Sequence, residues 1–455
     1  MQPRSCEEVA RPWPFDVEET WGLKVSSAGN LLVLLLSSGS LIAVLVSLST
    51  SRNLLVALDI ASISGMDDAL NPYTPGSGIA PTVLTGRERD LHAFDNLVKR
   101  VQNGLLGRPM LLVGLRGVGK TVLLNQLKRK ADQADWLTIK FEASQGARGR
   151  EGARRALAQG LAKASLRYRT KAKVSEGFHF IAAAVKSFSL SVGQSIIDLG
   201  VEVGDIPPAT GNLELDLHDV IEAITTTLLK EDKALGIFID EMQDLDEELL
   251  EALISAQHEA GQLGLPFYII GAGLPSLPGI LAESRSYAER MFEVHQIGRL
   301  EMYAAVAAFR EPARTQNVEF DDEAVEYLAN VSGQYPYFIQ EFGAQMWRTA
   351  RTSPMDSDAA RRAARLGIEQ LDRGFFQARW DRATPAERDY LTAMAKVGGE
   401  EISSKDIADI LGKDTKKLGP VRAKLISKGL IYAPEHGRVS YTVPNFDDFI
   451  ARQNG

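Results

Sequence analysis

The chain has 455 residues, enough for about three domains. Its formal charge of -8 and sequence pI near 5.5 argue against a protein coated in nucleic acid, while leaving room for one basic module. A single cysteine, Cys6, excludes an intrachain disulfide and cysteine-rich zinc sites and fits a reducing cytosol, and HEAGQ from His258 lacks the second histidine of a zincin helix.

From the start of the chain, residues 25–51 carry no charge, and the run Leu31 to Leu48 just reaches the lower limit for a membrane span. The segment before it holds Glu7, Glu8, Asp16, Glu18 and Glu19 against Arg4, Arg11 and Lys24, so it lacks the positive start of a secretory signal. Residues 1–65 therefore read as an anchor, as a buried or disordered extension, or as upstream translation, with Met66 a natural start. The chain is expected in the cytoplasm, at a membrane only if 31–48 is a real anchor.

GLRGVGKT, Gly114 to Thr121, fits the pattern G-x-x-x-x-G-K-[ST]. PMLLV before it reads as a short buried strand, and TVLLNQLKRK after it as a helix. Strand, glycine-rich loop and helix are the parts a phosphate cradle needs. The backbone of Gly114, Leu115, Arg116, Gly117, Val118, Gly119, Lys120, Thr121 and Val122 can turn its N–H groups toward phosphates, aided by the helix N-terminus. Lys120 would reach the β- and γ-phosphates of ATP, and Thr121 would offer a hydroxyl to Mg²⁺. Trp136 to Ala143 reads as a second core strand. Ala147 to Lys173 reads as a basic helix, solvated more readily than bound to nucleic acid. Ser187 to Gly204 alternates like a hairpin, and the insertion 147–212 suggests no function.

A second buried strand ends in acids at LGIFIDEMQD. Asp240 and Glu241 would stand at the C-terminal edge of a parallel sheet, where ligands bind. Asp240 is the candidate for ordering the Mg²⁺ shell, and Glu241 for polarising a water toward the γ-phosphate.

With these two motifs in place, the chain resembles the AAA+ and archaeal-type P-loop ATPases, in particular the initiator-like and STAND-like branches. LTGRERDL, Leu84 to Leu91, is similar to the box that precedes the P-loop there, which implies that Gly86 and Arg87 lie near the adenine. Pro266 to Gly279 falls where the family has its sensor-1 strand, but Gly271 and Gly273 stand where a polar residue is usual, with Ser276 a weak substitute. Ser286 to Leu300 resembles the helix and strand carrying the arginine finger. Arg290 is the candidate, Arg285 the runner-up, and a plain surface arginine the alternative. A finger acts from a neighbouring subunit, so a homo-oligomer is implied. The helices that follow resemble the lid, with Pro336 in the turn beside the base and no sensor-2 cation opening the next helix.

The last residues read as three short helices and two strand-like runs joined at Glu435-His436-Gly437, the order of a winged helix-turn-helix. Its basic side chains include Lys416, Lys417, Arg422, Lys424, Lys428 and Arg438, the footprint of phosphate contact on duplex DNA, although winged helices also dock proteins. The expected fold class is α/β: a P-loop core with a parallel sheet over 66–300, an all-α lid over 301–380 and a winged helix over 381–455. The expected function is an ATPase switch that hydrolyses ATP with Mg²⁺, and the alternative is a non-hydrolysing ATP-binding interaction module.

Overall fold

The computed structural model describes residues 66–76, 78–171, 182, 184–186, 188–189 and 210–454, with the backbone alone for 30–37, 40–47, 167–171 and 454. The described residues of the apolar N-terminal run are strands and not helix. Strands β1 (Asn30–Ser37) and β2 (Ser40–Ser47) pair antiparallel from Asn30↔Ser47 to Ser37↔Ser40. No helix among the described residues is long and apolar enough to cross a membrane.

The core is a five-stranded sheet of β3 (Met110–Val113), β4 (Leu137–Glu142), β5 (Leu235–Asp240), β6 (Phe267–Gly273) and β7 (Glu293–Gln296), in the order β4-β5-β6-β3-β7. Each paired neighbour runs parallel. Strands β3, β5 and β6 are buried along their whole length, which is why they read as unbroken apolar runs and not as alternating ones. Alternation still sorts their side chains by face. Leu112, Phe238 and Ile270 point one way, under α1 (Glu88–Gln102) and α2 (Lys120–Gln133). Leu111, Ile237 and Ile269 point the other way, under α3 (Gly146–Lys171), α4 (Leu213–Leu229) and α5 (Glu247–Gln262).

The basic run expected from Ala147 is α3. Of the expected hairpin Ser187 to Gly204, only Phe188 and Ser189 are described, and both are helical; the rest lies outside the described residues. After β6 come α6 (Leu277–Ser284) and the short α7 (Ala288–Met291), then a helical region of α8 (Met302–Arg314), α9 (Asp322–Val331), α10 (Pro336–Thr349) and α11 (Ser357–Gln370). A π-helical turn, Leu371–Phe376, leads into α12 (Gln377–Asp381).

The C-terminal unit has α13 (Pro385–Val397), α14 (Ser404–Leu411) and α15 (Thr415–Ser427), with β8 (Ile402–Ser403), β9 (Ile431–Tyr432) and β10 (Arg438–Tyr441) in the order β8-β10-β9. Strand β8 is too short to carry a sequence signal. A further helix, α16 (Phe446–Asn454), closes the chain and stacks Phe446 and Phe449 on Phe376 at 5.9 and 5.5 Å. One continuous apolar cluster thus runs from the sheet through α8 to α11 into the C-terminal unit.

Candidate nucleotide site

Strand β3 delivers the chain into Gly114–Gly119, and α2 starts at Lys120. Gly117 and Gly119 have φ of 88° and 90°, a region closed to most side chains. A Cβ on Gly114 would collide with the Ile297 carbonyl beside β7. The glycines therefore let the loop curl tightly over the sheet edge.

Lys120 is 7% exposed, and its ammonium donates to the carbonyls of Gly114 and Leu115, both at 2.9 Å. An ammonium has three protons, so one donor is left for an anion. Burial lowers its pKa to about 8, against the pull of Glu241 and Asp240. This has a measurable consequence. The uncharged lysine predominates above that value, and an anionic ligand binds the charged form. Nucleotide affinity is expected to hold steady below pH 7 and to fall by up to about tenfold per pH unit above 8, with one proton taken up on binding. Titration calorimetry in buffers of different ionisation heat reads that proton directly; a flat profile to pH 9 would refute it.

Lys120 and Thr121 face a cavity of about 410 Å³, a size suited to a small-molecule ligand. Asp240 and Glu241 stand in the same wall, at the end of β5. Asp240 is 4% exposed, and its Oδ1 accepts the Glu241 N–H at 3.1 Å. Glu241 takes a left-handed backbone, φ 48°, costly for a residue with a side chain and typical of functional positions. Its Oε1 lies 3.5 Å from Arg116 Nη1, and its Oε2 accepts from Gln243 Nε2 at 2.7 Å. Asp240 and Thr121 both line this cavity, and among the described residues no group of three or more His, Cys, Asp or Glu could hold a metal ion by itself.

Of the other expected residues some line this cavity and others, Gly86, Gly114 and Leu115 among them, do not. Arg116 to Val122, Arg87 and Pro336 line it. Arg87 is 8% exposed and braces the loop instead of facing outward, donating to the carbonyls of Val118 at 3.1 Å and Gly298 at 2.6 Å. Gly86, at φ 70°, sits against Ala304 and Leu300, where a Cβ would come within 2.8 and 3.0 Å. Arg290, on α7, is exposed and does not line the cavity. Arg285 is held by Glu214 and Glu251 at 3.3 and 3.4 Å.

Two groups of site residues escape a reading of the sequence. Thr74, Gly76, Gly78, Ile79, Pro81, Val83 and Leu84 line the cavity from the lead before the first helix, where Thr74 N–H donates to Gln340 Oε1 at 3.0 Å. Arg379, on α12, also lines the cavity, its guanidinium carbon 3.9 Å from the Phe375 ring centroid. Burial, and then the like charge of Arg116, lower its pKa to about 10. Arg379 thus brings a cation to the cavity from just after the π-helical turn. The loop is also gripped from two sides. Tyr337 N–H donates to Gly117 O at 3.2 Å, and Arg116 N–H donates to Thr442 O of the C-terminal unit at 2.9 Å.

Residues 83–270 match the family model of the AAA ATPase domain. This stretch is similar to an AAA-type P-loop ATPase domain. Residues 373–450 match a domain of unknown function (DUF8462). No curated protein matches the chain. Among solved structures, the chain shares its fold with the Walker-type ATPase PABY2304 of Pyrococcus abyssi, at 17% identity and a TM-score of 0.52, over 84% of this chain and 99% of that one. Looser overlaps include Cdc6p from Pyrobaculum aerophilum (13% identity, TM-score 0.43, 86% and 98% covered). Another is the RuvB Holliday junction branch migration motor of Thermotoga maritima (16% identity, TM-score 0.39, 78% and 92% covered). The AAA domain model stops at β6, so its partners in the cavity from α8 onward, Arg379 among them, lie outside the matched stretch.

Proposed function

We propose that the chain is an ATP hydrolase with Mg²⁺ whose C-terminal unit, read as a winged helix, binds duplex DNA. One observation carries the enzymatic part: Lys120, Arg116 and Arg379 converge on a cavity that also presents Thr121, Asp240 and Glu241. Glu241 and Asp240 offset part of this charge, and three cations against two carboxylates still leave the space positive, a balance that suits a polyanion such as a triphosphate. Lys120 would hold the β- and γ-phosphates, with Arg116 and Arg379 neutralising the charge that develops between γ-phosphate and leaving oxygen. Thr121 and Asp240 would hold Mg²⁺, which when bound shields the phosphate charge. Glu241 would accept a proton from water as the water oxygen bonds to the γ-phosphorus and the bond to the β-phosphate oxygen breaks, giving ADP and inorganic phosphate. A triphosphate competes for Arg116, which frees Glu241 Oε1 for that water. Arg290, exposed at the surface, is our candidate finger for a neighbouring copy.

The DNA part is supported by side-chain placement on α15. Lys416, Lys417 and Lys424 are exposed. The other basic candidates are engaged within the unit. Lys428 donates to Glu387 Oε2 at 2.6 Å and to Arg382 O at 2.8 Å. Arg438 pairs with Glu435 at 2.8 Å, and Arg422 donates to Arg438 O at 3.4 Å. The reading therefore rests on the three lysines. The test is ATP turnover by the full chain with and without duplex DNA, combined with the salt dependence of DNA binding. DNA-stimulated turnover is expected, with log affinity falling linearly against log salt. Changing Lys416, Lys417 and Lys424 together to alanine should reduce that slope by roughly 2 to 3. A flat salt response, or no DNA binding, would replace DNA by a protein partner; ATP bound without turnover in either condition would replace the hydrolase by an interaction module.

A further inference from the structure

We infer that Gln243 is a positioning residue for Glu241, taking over from the acid strand's own turn the role of a polar side chain on β6. The inference rests on the hydrolytic reading above. Strand β6 lies between the P-loop strand and the acid strand, so its C-terminal end is the natural place for a polar group beside the γ-phosphate. It ends Gly271-Ala272-Gly273 and offers none.

Both glycines have a neighbour in the space their side chains would fill. A Cβ on Gly271 would lie 2.5 Å from the Met242 sulfur, and one on Gly273 would lie 2.5 Å from Gln243 Oε1. Neither glycine has a positive φ, so it is space and not backbone conformation that excludes a larger residue. The 3₁₀ turn Met242–Asp244, directly after Glu241, thus lays two successive side chains into the two gaps of β6. Together with Leu111 beside Gly271 and Leu277 beside Gly273, the turn fills the room that side chains on β6 would need.

The Gln243 carboxamide is oriented by chemistry as well as by shape. Its Oε1 accepts the Leu274 N–H at 3.0 Å, just past β6. An N–H can only donate, so the oxygen must face it and the amide nitrogen must face away. That nitrogen donates to Glu241 Oε2 at 2.7 Å. Glu241 is 20% exposed and its backbone is in a strained region, so the side chain gains definition from this bond. Gln243 does not line the cavity, so it acts on the phosphates only through Glu241. The bond leaves Oε1 of Glu241 facing Arg116, and that oxygen is the one a water can reach once Arg116 turns to the phosphates.

The experiment is steady-state ATP turnover by the full chain as wild type, Gln243→Ala, Gly273→Ser and the double variant, with melting temperatures for all four. Gln243→Ala is expected to lower kcat by roughly tenfold or more with KM for ATP changed less than twofold, the split of a residue that acts in the transition state. Gly273→Ser alone collides with Gln243 Oε1 and should lose both stability and rate. In the double variant only the Leu277 side chain, 2.8 Å from the new Cβ, still has to give; the hydroxyl then enters the space vacated by Gln243 as a donor near Glu241, and kcat should recover several-fold over Gln243→Ala. A kcat for Gln243→Ala within twofold of wild type overturns the inference. So does a loss that tracks melting temperature and is not rescued by Gly273→Ser. A wild type that binds ATP and turns none over overturns the hydrolytic reading and this one with it, and is distinguished from the other failures because it needs no variant.

Discussion

Replacing Lys120 with methionine is expected to abolish the stabilisation that ATP confers, and at the same time to raise the melting temperature of the nucleotide-free protein. The two effects have one cause. The ammonium is 7% exposed, and its pKa of about 8 lies below the ordinary 10.5, so burial disfavours its charged form. In the unfolded chain the lysine still binds its proton between those two values. The folded state therefore pays a penalty that is fully present below pH 8 and is relieved as the pH rises toward 10.5. The shift corresponds to about 3 kcal/mol. Methionine fills nearly the same volume without the charge. It forfeits the bonds to Gly114 O and Leu115 O, each worth about 1 kcal/mol net, so a gain of about 1 kcal/mol should remain. The same substitution removes the charge-assisted donor to the phosphates and should weaken ATP binding by at least ~100-fold. Differential scanning calorimetry with and without ATP and Mg²⁺ reads both effects. An ATP-induced shift equal to that of wild type would remove Lys120 from the site, and a lowered melting temperature without nucleotide would show that its burial is not a cost.

The parts of this site that were legible in the sequence share a property. GLRGVGKT and LGIFIDE are local patterns in which strand, loop and ligand-facing atoms follow one another within a few residues, so spacing alone carries the geometry. Thr74, Ile79 and Val83 of the lead, and Arg379, reach the same cavity from elsewhere in the chain, through tertiary packing that no local pattern encodes. Arg379 depends on the π-helical turn at Leu371–Phe376, whose extra residue per turn shifts which face of the helix meets the cavity; an ideal 3.6-residue count misplaces it. Gly271 and Gly273 are a different case. In sequence they read as a missing side chain, because the turn that fills their space lies on another strand. The N-terminal run shows the limit of composition: an uncharged apolar stretch of that length fits a span, yet its backbone pairs as two strands. Basic residues on and just after α15 illustrate the same limit, since composition cannot separate Lys428, bound to the buried Glu387, from the exposed Lys416.

Glu241→Gln is expected to leave ATP bound and to lower turnover by ~10² to 10⁴, the range for loss of a general base. The substitution keeps the shape and lets the new amide oxygen accept from Gln243 Nε2 as Oε2 does now. It also keeps the left-handed backbone at φ 48°, so a loss of rate cannot be assigned to a collapsed turn. What it removes is the proton acceptor and one negative charge. Removing that charge has a second effect. Glu241 stands in the same cavity wall as Asp240, and it attracts Arg116 at 3.5 Å. With a neutral amide there, Arg116 is freed toward the phosphates and repulsion of the γ-phosphate falls, so ATP should bind as tightly as to wild type or more so. The pair of outcomes is what separates a base from a binding residue: Lys120→Met loses affinity, whereas Glu241→Gln keeps it and loses rate. Rapid-quench turnover with excess protein, read beside a direct ATP titration, measures both without product release intervening. Turnover at the wild-type rate would take Glu241 out of the chemistry, and the water would then have to be activated by the phosphates themselves within the field of Lys120, Arg116 and Arg379.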